Sequence, residues 1–513
     1  MPTVSAREAE SPLVLALDLG SSSLRALIYD ARGREVRGTE GRTPYRWTLT
    51  ADGGVEGEPD AFLQGVALAI DQSLAGAGRA AQRLRAVGVS TFWHNIMGVG
   101  ADGRPSTPLY SWADKCSAPA AQVLRDRLDE EAVRRRTGCV FHPSYPAVRL
   151  YWLRTAHPQA WLGTKWWMSI GEYLALVWFG RRACSISMAS GTGLLDQRRC
   201  DWDGELLAAI GLAPAALSPL VDARTPLRGL EREYAARWPA LADLPWTSAL
   251  GDGALSNVGT GCMVAARAAL NVGTSGALRV LREAEPAEVP RALWQYRLDR
   301  TRLLTGGAVS NGGNVFRWMQ EQFALGTPEE IEEALCRRSG ARDLVVLPFF
   351  AGERSPDWPL WVRGAIVGMT LATEPLDLLQ AGLEAVAQRL ALVWDQLRAV
   401  LPAVHEIVAS GAGLLRSPAW MQITADVFGH AIAASEEAEG SSRGAALMAL
   451  ELLGAARAEE LPAPAGHVFW PDADRHARYR EARLLHLRIE AALEPLQEAF
   501  RPGGDSSQPP AIG

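Results

Sequence analysis

Leu13–Leu24 reads LVLALDLGSSSL, a short apolar strand that ends in an aspartate, a glycine and three serines. A second strand, Arg25-Ala-Leu-Ile-Tyr29, follows with no helix between, and the turn Ala31-Arg32-Gly33 leads on to Arg34-Glu35-Val36. Strand, polar turn, strand predicts a β-hairpin. A turn that offers small hydroxyls, backbone N–H groups and an acid at its entry can hold a phosphate and its magnesium ion. A P-loop would need strand, glycine loop and helix, with a lysine after the glycines. The chain has two lysines, Lys115 and Lys165, and neither follows a glycine-rich loop. Taken alone, the same stretch also reads as an ordinary Gly-Ser turn.

The device recurs in the second half of the chain. Asn271-Val-Gly-Thr-Ser-Gly-Ala-Leu-Arg-Val-Leu281 is again strand, Gly-Thr-Ser-Gly turn, strand. Two copies predict two related domains, each lending one turn to a shared cleft, with a boundary near Cys262–Ala266. A third glycine site, Ser410-Gly-Ala-Gly-Leu-Leu-Arg-Ser-Pro418, lies between the apolar strand His405–Ala409 and the helical run Ala419–Phe428. Strand, glycine turn, helix suits close approach to a flat ligand, with a helix N-terminus near its phosphates.

Strand and helix patterns alternate along the rest of the chain, which is the signature of an α/β fold. Strands are predicted at Leu84–Ser90 and Leu344–Pro348. Helices are predicted at Asp60–Ala77, Ala118–Arg135, Pro375–Leu401 and Ser441–Leu453. At 513 residues the chain is too long for one core. Residues 12–262 and 263–498 are the expected domains, and 1–11 and 499–513 are expected to be disordered tails.

Composition narrows the function. A net charge of −6 lacks the basic balance of nucleic-acid binders. The longest uncharged apolar segment, Leu206–Val221, holds Pro214 and Pro219 and is too short to cross a bilayer. Met1–Pro12 is polar and carries no signal-peptide core. The cysteines at 116, 139, 184, 200, 262 and 336 form no CxxC pair, so neither a zinc site nor a disulfide framework is expected. Reduced thiols and a cytoplasmic location follow as the expectation.

At this point the motifs resemble those of the FGGY carbohydrate kinases, in the actin–hexokinase–chaperone superfamily, from Leu13 to Leu453. Asp18–Arg25 resembles the family's first phosphate motif and Asn271–Leu278 its second. Gly411–Pro418, with Trp420-Met-Gln422 and Ala425-Asp426, resembles the adenosine motif. Pro348–Pro356 continued by Arg363-Gly364 resembles the signature segment, and Trp112-Ala-Asp114 a sugar-site motif. The resemblance implies an α/β fold of two ribonuclease-H-like (actin-like ATPase) domains with a nucleotide cleft between them. Trp93-His-Asn95, Gly171-Glu-Tyr173, Ser187–Gly193 and Gly251–Ala254 are most similar to the gluconate-kinase branch. The glycerol-kinase Asn-Gln-Arg-Glu motif is absent.

What the resemblance implies for each residue follows. Asp252 accepts the proton of the sugar hydroxyl. Asp18 sits near a magnesium ion, through water. Gly20, Ser21, Ser22, Ser23 and Arg25, with Gly273, Thr274 and Ser275, meet the phosphates of ATP. Gly313, Arg317, Gly411, Gly413 and Ser417 line the rest of the nucleotide. His94, Asn95, Trp112 and Asp114 hold the sugar, together with Asp252. ATP and Mg²⁺ are the cofactors and a small sugar or sugar acid the partner, gluconate before a ketopentose or other polyol. A homodimer is compatible with this, and a pseudokinase regulator is the reading from another class. Two positions depart from the family pattern. Cys116 stands where Trp-x-Asp-x-Arg would place arginine, and Gly253 where many members carry Asn or Gln.

Overall fold

The parity of the first strand positions everything around it. In the computed structural model, which describes residues 3–500 apart from 52, 339 and 341–343, Leu13–Leu19 is a central strand covered on both faces. Leu13, Leu15, Leu17 and Leu19 pack with Phe62, Val66 and Ile70 of helix Pro59–Ala77. Val14 and Ala16 point the other way, toward Leu255 and Val258 of helix Asp252–Gly259 and Ala445 and Met448 of helix Gly440–Leu452. Side chains alternate along a strand, so Asp18 belongs to this second face.

The predicted hairpin forms, with Leu13–Leu19 antiparallel to Ser23–Tyr29 and Asp18 directly opposite Arg25. The sheet runs Leu250–Gly251, Leu84–Thr91, Leu13–Leu19, Ser23–Tyr29, Gly41–Pro44. Its fourth and fifth strands in chain order lie parallel on the far side of the first. The second hairpin repeats that plan: Arg267–Val272 is antiparallel to Gly276–Glu283 and parallel to Glu406–Ser410. Its sheet runs Trp294–Arg297, Arg302–Val309, Gly276–Glu283, Arg267–Val272, Glu406–Ser410, Ile432–Ser435, Ala465–Phe469. The five inner strands of this sheet follow the order of the first, with one more strand at each edge. Helix Pro375–Val400 buries Leu383, Val386 and Leu390 against Leu270, Leu278 and Val309 on one face. The α/β fold of two related domains is therefore the observed one.

Helix Gly440–Leu452 departs from a division at residue 262. It comes from the second half of the chain yet completes the core of the first sheet. It crosses helix Asp252–Gly259 so closely that a Cβ at Gly259 would lie 1.9 Å from the Gly440 carbonyl oxygen, and one at Gly444 2.0 Å from that of Leu255. Only glycine permits that approach.

Two expectations are corrected. The helix expected over Ala118–Arg135 is broken into Ala118–Arg127 and Glu130–Thr137, because the Asp129 carboxylate accepts from the Ala132 N–H and starts a new helix. The segment 3–11, expected to be a disordered tail, packs against the first domain. Val4 pairs with Val36 and is buried with Ala9 in the first core, and Arg83 donates to the Ala6 carbonyl at 2.8 Å. Apolar side chains at these two positions outweigh the polar composition around them. At the other end Glu498–Phe500 forms a short 3₁₀ turn, and the rest of the expected tail lies outside the described residues.

Candidate active site

Between the two sheets lies a cavity of about 220 Å³ to which both hairpins contribute. Ser21 comes from the first turn, and Gly273, Thr274 and Ser275 from the second. The second turn is held by the chain that follows it in space: Gly313 N–H donates to the Gly273 carbonyl at 2.8 Å, and Asn314 N–H to that of Thr274 at 3.2 Å. Gly413 packs on Gly273 and Gly313, so the second hairpin and the third glycine site meet at one place.

Asp252 enters the cavity as the first residue of helix Asp252–Gly259, following the edge strand Leu250–Gly251. Its Oδ1 accepts from the Gly253 N–H at 2.7 Å. Burial raises its pKa above the usual aspartate range, although Arg279 and the Gly253 N–H pull the other way. Desolvation therefore wins over a nearby cation and a helix N-terminus. Asp18 shares this environment. Burial pushes it up to about 6 against the attraction of Arg25, and the charge of Asp252 adds to the rise.

The other residues of the first turn are differently employed. Gly20 N–H donates to the Ser23 carbonyl at 3.2 Å and shapes the turn. Ser22 is exposed and Ser23 buried, its hydroxyl accepting from Arg25 Nε at 3.2 Å. The Arg25 guanidinium is ion-paired with Glu439, just ahead of helix Gly440–Leu452. In the third site Gly411 adopts φ 92°. Ser417 caps helix Pro418–Phe428 through the Trp420 N–H and donates to Glu332 at 2.6 Å. Arg317 is exposed on helix Gly313–Gln322 and does not line the cavity.

The sugar-site expectations divide. His94 and Trp112 line the cavity. His94 holds φ 65° and its Nδ1 lies 2.5 Å from the Gly191 carbonyl oxygen. A carbonyl only accepts, so Nδ1 carries the proton; burial lowers the ring's pKa to about 3 and keeps it neutral, with Nε2 an acceptor. Asn95 is used up by the fold: its amide donates to the Phe92 carbonyl and accepts from the Ile170 N–H at 2.7 Å. Asp114 is likewise committed. Its carboxylate takes Arg149 Nη1 at 2.5 Å and the backbone N–H groups of Val55 and Cys116 at 3.0 Å each. Asp114 and Asn95 brace the loops that present Trp112 and His94, and neither lines the cavity.

Sequence reasoning passed over two cations. Arg279 on strand Gly276–Glu283 and Arg354 both line the cavity. Arg279 Nη1 donates to the Gly253 carbonyl at 2.9 Å. The Arg354 guanidinium lies 5.0 Å from the Trp112 ring centroid, donates to the Val309 carbonyl at 2.9 Å and has a buried Nε without a hydrogen-bond partner. Alternation along Asn271–Leu281 could have flagged Arg279 as an inward cation; Arg354 stood inside a quoted segment without a role. Tyr145 and Tyr296, hydroxyls 2.7 Å apart, add to the wall, as do Trp93 and Trp358. Gly253 is explained by the same neighbours: a Cβ there would stand 2.7 Å from Trp93 and 3.2 Å from the Arg279 guanidinium carbon. The space that an Asn or Gln would use is filled. Across the cleft Lys115 donates to the Ala351 carbonyl, and burial brings its pKa down to about 8.

Two hairpins, a buried carboxylate and a polar cavity describe a phosphoryl-transfer site, and comparison with known proteins agrees. Residues 13–259 match the N-terminal domain and 268–453 the C-terminal domain of the FGGY family of carbohydrate kinases. A gluconokinase of Bacillus licheniformis is 26% identical over 497 residues, covering 94% of this chain and 96% of its own. Among solved structures, a gluconate kinase from Lactobacillus acidophilus aligns with a TM-score of 0.85 and 26% identity, covering 96% of this chain and 99% of that one. A xylulose kinase from the same organism aligns with a TM-score of 0.85 and 26% identity, covering 95% and 99%. The chain belongs to the FGGY family of carbohydrate kinases, phosphotransferases that use ATP and an alcohol group as acceptor.

Proposed function

We propose that this kinase phosphorylates a hydroxyl of gluconate, with Asp252 as the general base. The observation that carries the chemistry is Asp252 in one cavity with Ser21 and Thr274, one residue from each hairpin. The sugar oxygen forms its bond to the γ-phosphorus as the bond from phosphorus to the β–γ bridging oxygen breaks. ADP leaves, and the hydroxyl proton passes to Asp252. A raised carboxylate pKa suits this, because a stronger base accepts the proton more readily. Alignment by the two turns supplies most of the remaining rate.

Asp18 fits the role of a magnesium partner. Burial disfavours its charged form, and a divalent cation arriving with the nucleotide would restore that form, through water since Mg²⁺ keeps much of its hydration shell. Thr274 and Ser275 would face the transferred phosphate, and the backbone around Gly313, Gly411 and Gly413 the rest of the nucleotide. Gluconate is favoured by the similarity to gluconokinases. The equally good superposition on a xylulose kinase makes a ketopentose the second reading. None of the six cysteines is joined in a disulfide, in keeping with a cytoplasmic enzyme. ADP release over gluconate, other aldonates, xylulose and alditols tests the assignment. Turnover of xylulose with none of gluconate would replace it with the second reading.

A further inference from the structure

We propose that Arg279 and Arg354 together read the carboxylate of the substrate and make this kinase selective for sugar acids over neutral sugars of the same length. The inference rests on the sugar-kinase reading of the cavity and names the substrate class from the site's own charges. Two guanidiniums face a cavity in which Asp252 is the carboxylate that lines the wall; Asp252 feels the charge of both, and Arg354 also has the buried carboxylate of Glu353 beside it. The Glu353 carboxylate is shared with Arg389 and accepts from the Ser310 and Arg354 backbone N–H groups. A buried charge without its full complement of partners is costly, and the Nε of Arg354 has none. An anion on the substrate would supply what is missing.

The two departures from the family pattern fit this assignment. Cys116 removes a cation from the Trp112 loop, and the Arg354 guanidinium lies over the Trp112 ring at 5.0 Å. Gly253 removes an amide, and the Arg279 guanidinium occupies the space where its side chain would begin. Arg279 is anchored by one nitrogen to the Gly253 carbonyl and Arg354 to that of Val309, so both are positioned before substrate arrives. The neutral His94 ring offers an acceptor for a hydroxyl and does not compete for the carboxylate.

The test is steady-state kinetics at saturating ATP on gluconate and on glucitol, its neutral counterpart, for wild type, Arg354→Gln, Arg354→Lys and Arg279→Gln. Hydrogen bonds to charged groups are worth about 1.5–3 kcal/mol, so the ratio of kcat/KM for gluconate to that for glucitol should fall about 10- to 100-fold in each Gln variant. The loss should sit mainly in the gluconate KM, with Arg354→Lys recovering part of it. Thermal melts report folding independently; should Arg279→Gln fail to fold, the Arg354 pair still decides. An equal loss on both substrates, seated in kcat, would overturn the proposal in favour of arginines that stabilise the transferring phosphoryl group. An unchanged ratio with active gluconate turnover would overturn it too, leaving gluconate as substrate. A wild type that turns over xylulose and not gluconate would defeat both readings at once.

Discussion

Arg279 donates from Nη1 to the carbonyl oxygen of Gly253 at 2.9 Å, so the second domain's hairpin grips the turn that carries the proposed base. The contact joins two elements whose relative position decides whether phosphate and sugar meet. A side chain at Gly253 would press on Trp93 and on the Arg279 guanidinium. Gly253→Gln should therefore destabilise the protein by about 1–3 kcal/mol, the usual cost of overpacking, and raise the gluconate KM by displacing Arg279. Urea unfolding and substrate titration measure the two effects. A fully stable variant with unchanged KM would show that the guanidinium has room to move.

Asp252→Asn keeps the shape of the side chain and removes the base. Turnover should drop by about 10²–10⁴-fold, the typical contribution of general-base catalysis, while gluconate affinity changes far less. Because burial raises the Asp252 pKa, wild-type kcat should decline on the acid side at a higher pH than an ordinary aspartate would give. A variant that phosphorylates gluconate within a few-fold of wild type would remove Asp252 from the mechanism.

Asp18 offers a pH experiment on stability. Its pKa in the folded state is raised, from 3.8 to about 6, so the fold favours the protonated form. The stability it contributes is complete below the unfolded value and is lost as pH rises through about 6. At about pH 8 the ionised, half-buried carboxylate costs on the order of 3 kcal/mol in the absence of magnesium-nucleotide. Asp18→Asn should thus melt at a higher temperature than wild type at about pH 8, with the gap closing toward about pH 4, yet lose turnover. Equal melting temperatures across that range would contradict the burial argument.

Asp114 and Arg149 form a pair that is almost entirely buried, at 1% and 2% exposure. Removing one partner of such a pair costs about 3–5 kcal/mol because the other charge is stranded. Asp114→Ala should lower the unfolding free energy by that amount. The fraction that remains folded should keep its preference for gluconate over glucitol, since Asp114 does not line the cavity. A folded, stable variant with lost sugar discrimination would return Asp114 to the substrate site.

What could be read from the chain and what could not divide along a physical line. The hairpins were legible because strand parity and turn chemistry are local, whereas Asp252 was singled out only by the family resemblance. Asp114 and Asn95 misled because residue type alone does not say whether a polar side chain faces ligand or backbone. Their partners, Arg149 and the Ile170 N–H, are remote in sequence. Arg354 was invisible as a sugar-site cation for the same reason: only the folded chain sets it over Trp112. The break at Asp129 was legible in principle, since an aspartate followed by two glutamates is a helix start.

The crossing of helix Gly440–Leu452 beneath the first sheet has a consequence for biosynthesis. As the ribosome releases the first half of the chain, Val14, Ala16 and Leu27 lack Ala445, Leu447 and Met448, which cover them in the finished enzyme. That half must wait with an apolar face only partly covered, by helix Asp252–Gly259, until nearly all of the remainder has been made. Folding one domain at a time as it emerges, the ordinary route for a chain of this size, is closed to it at the last step. The enzyme becomes whole only when its late helix arrives, so premature termination between residues 260 and 440 leaves one face of the first sheet without that helix even though every one of its own strands is present.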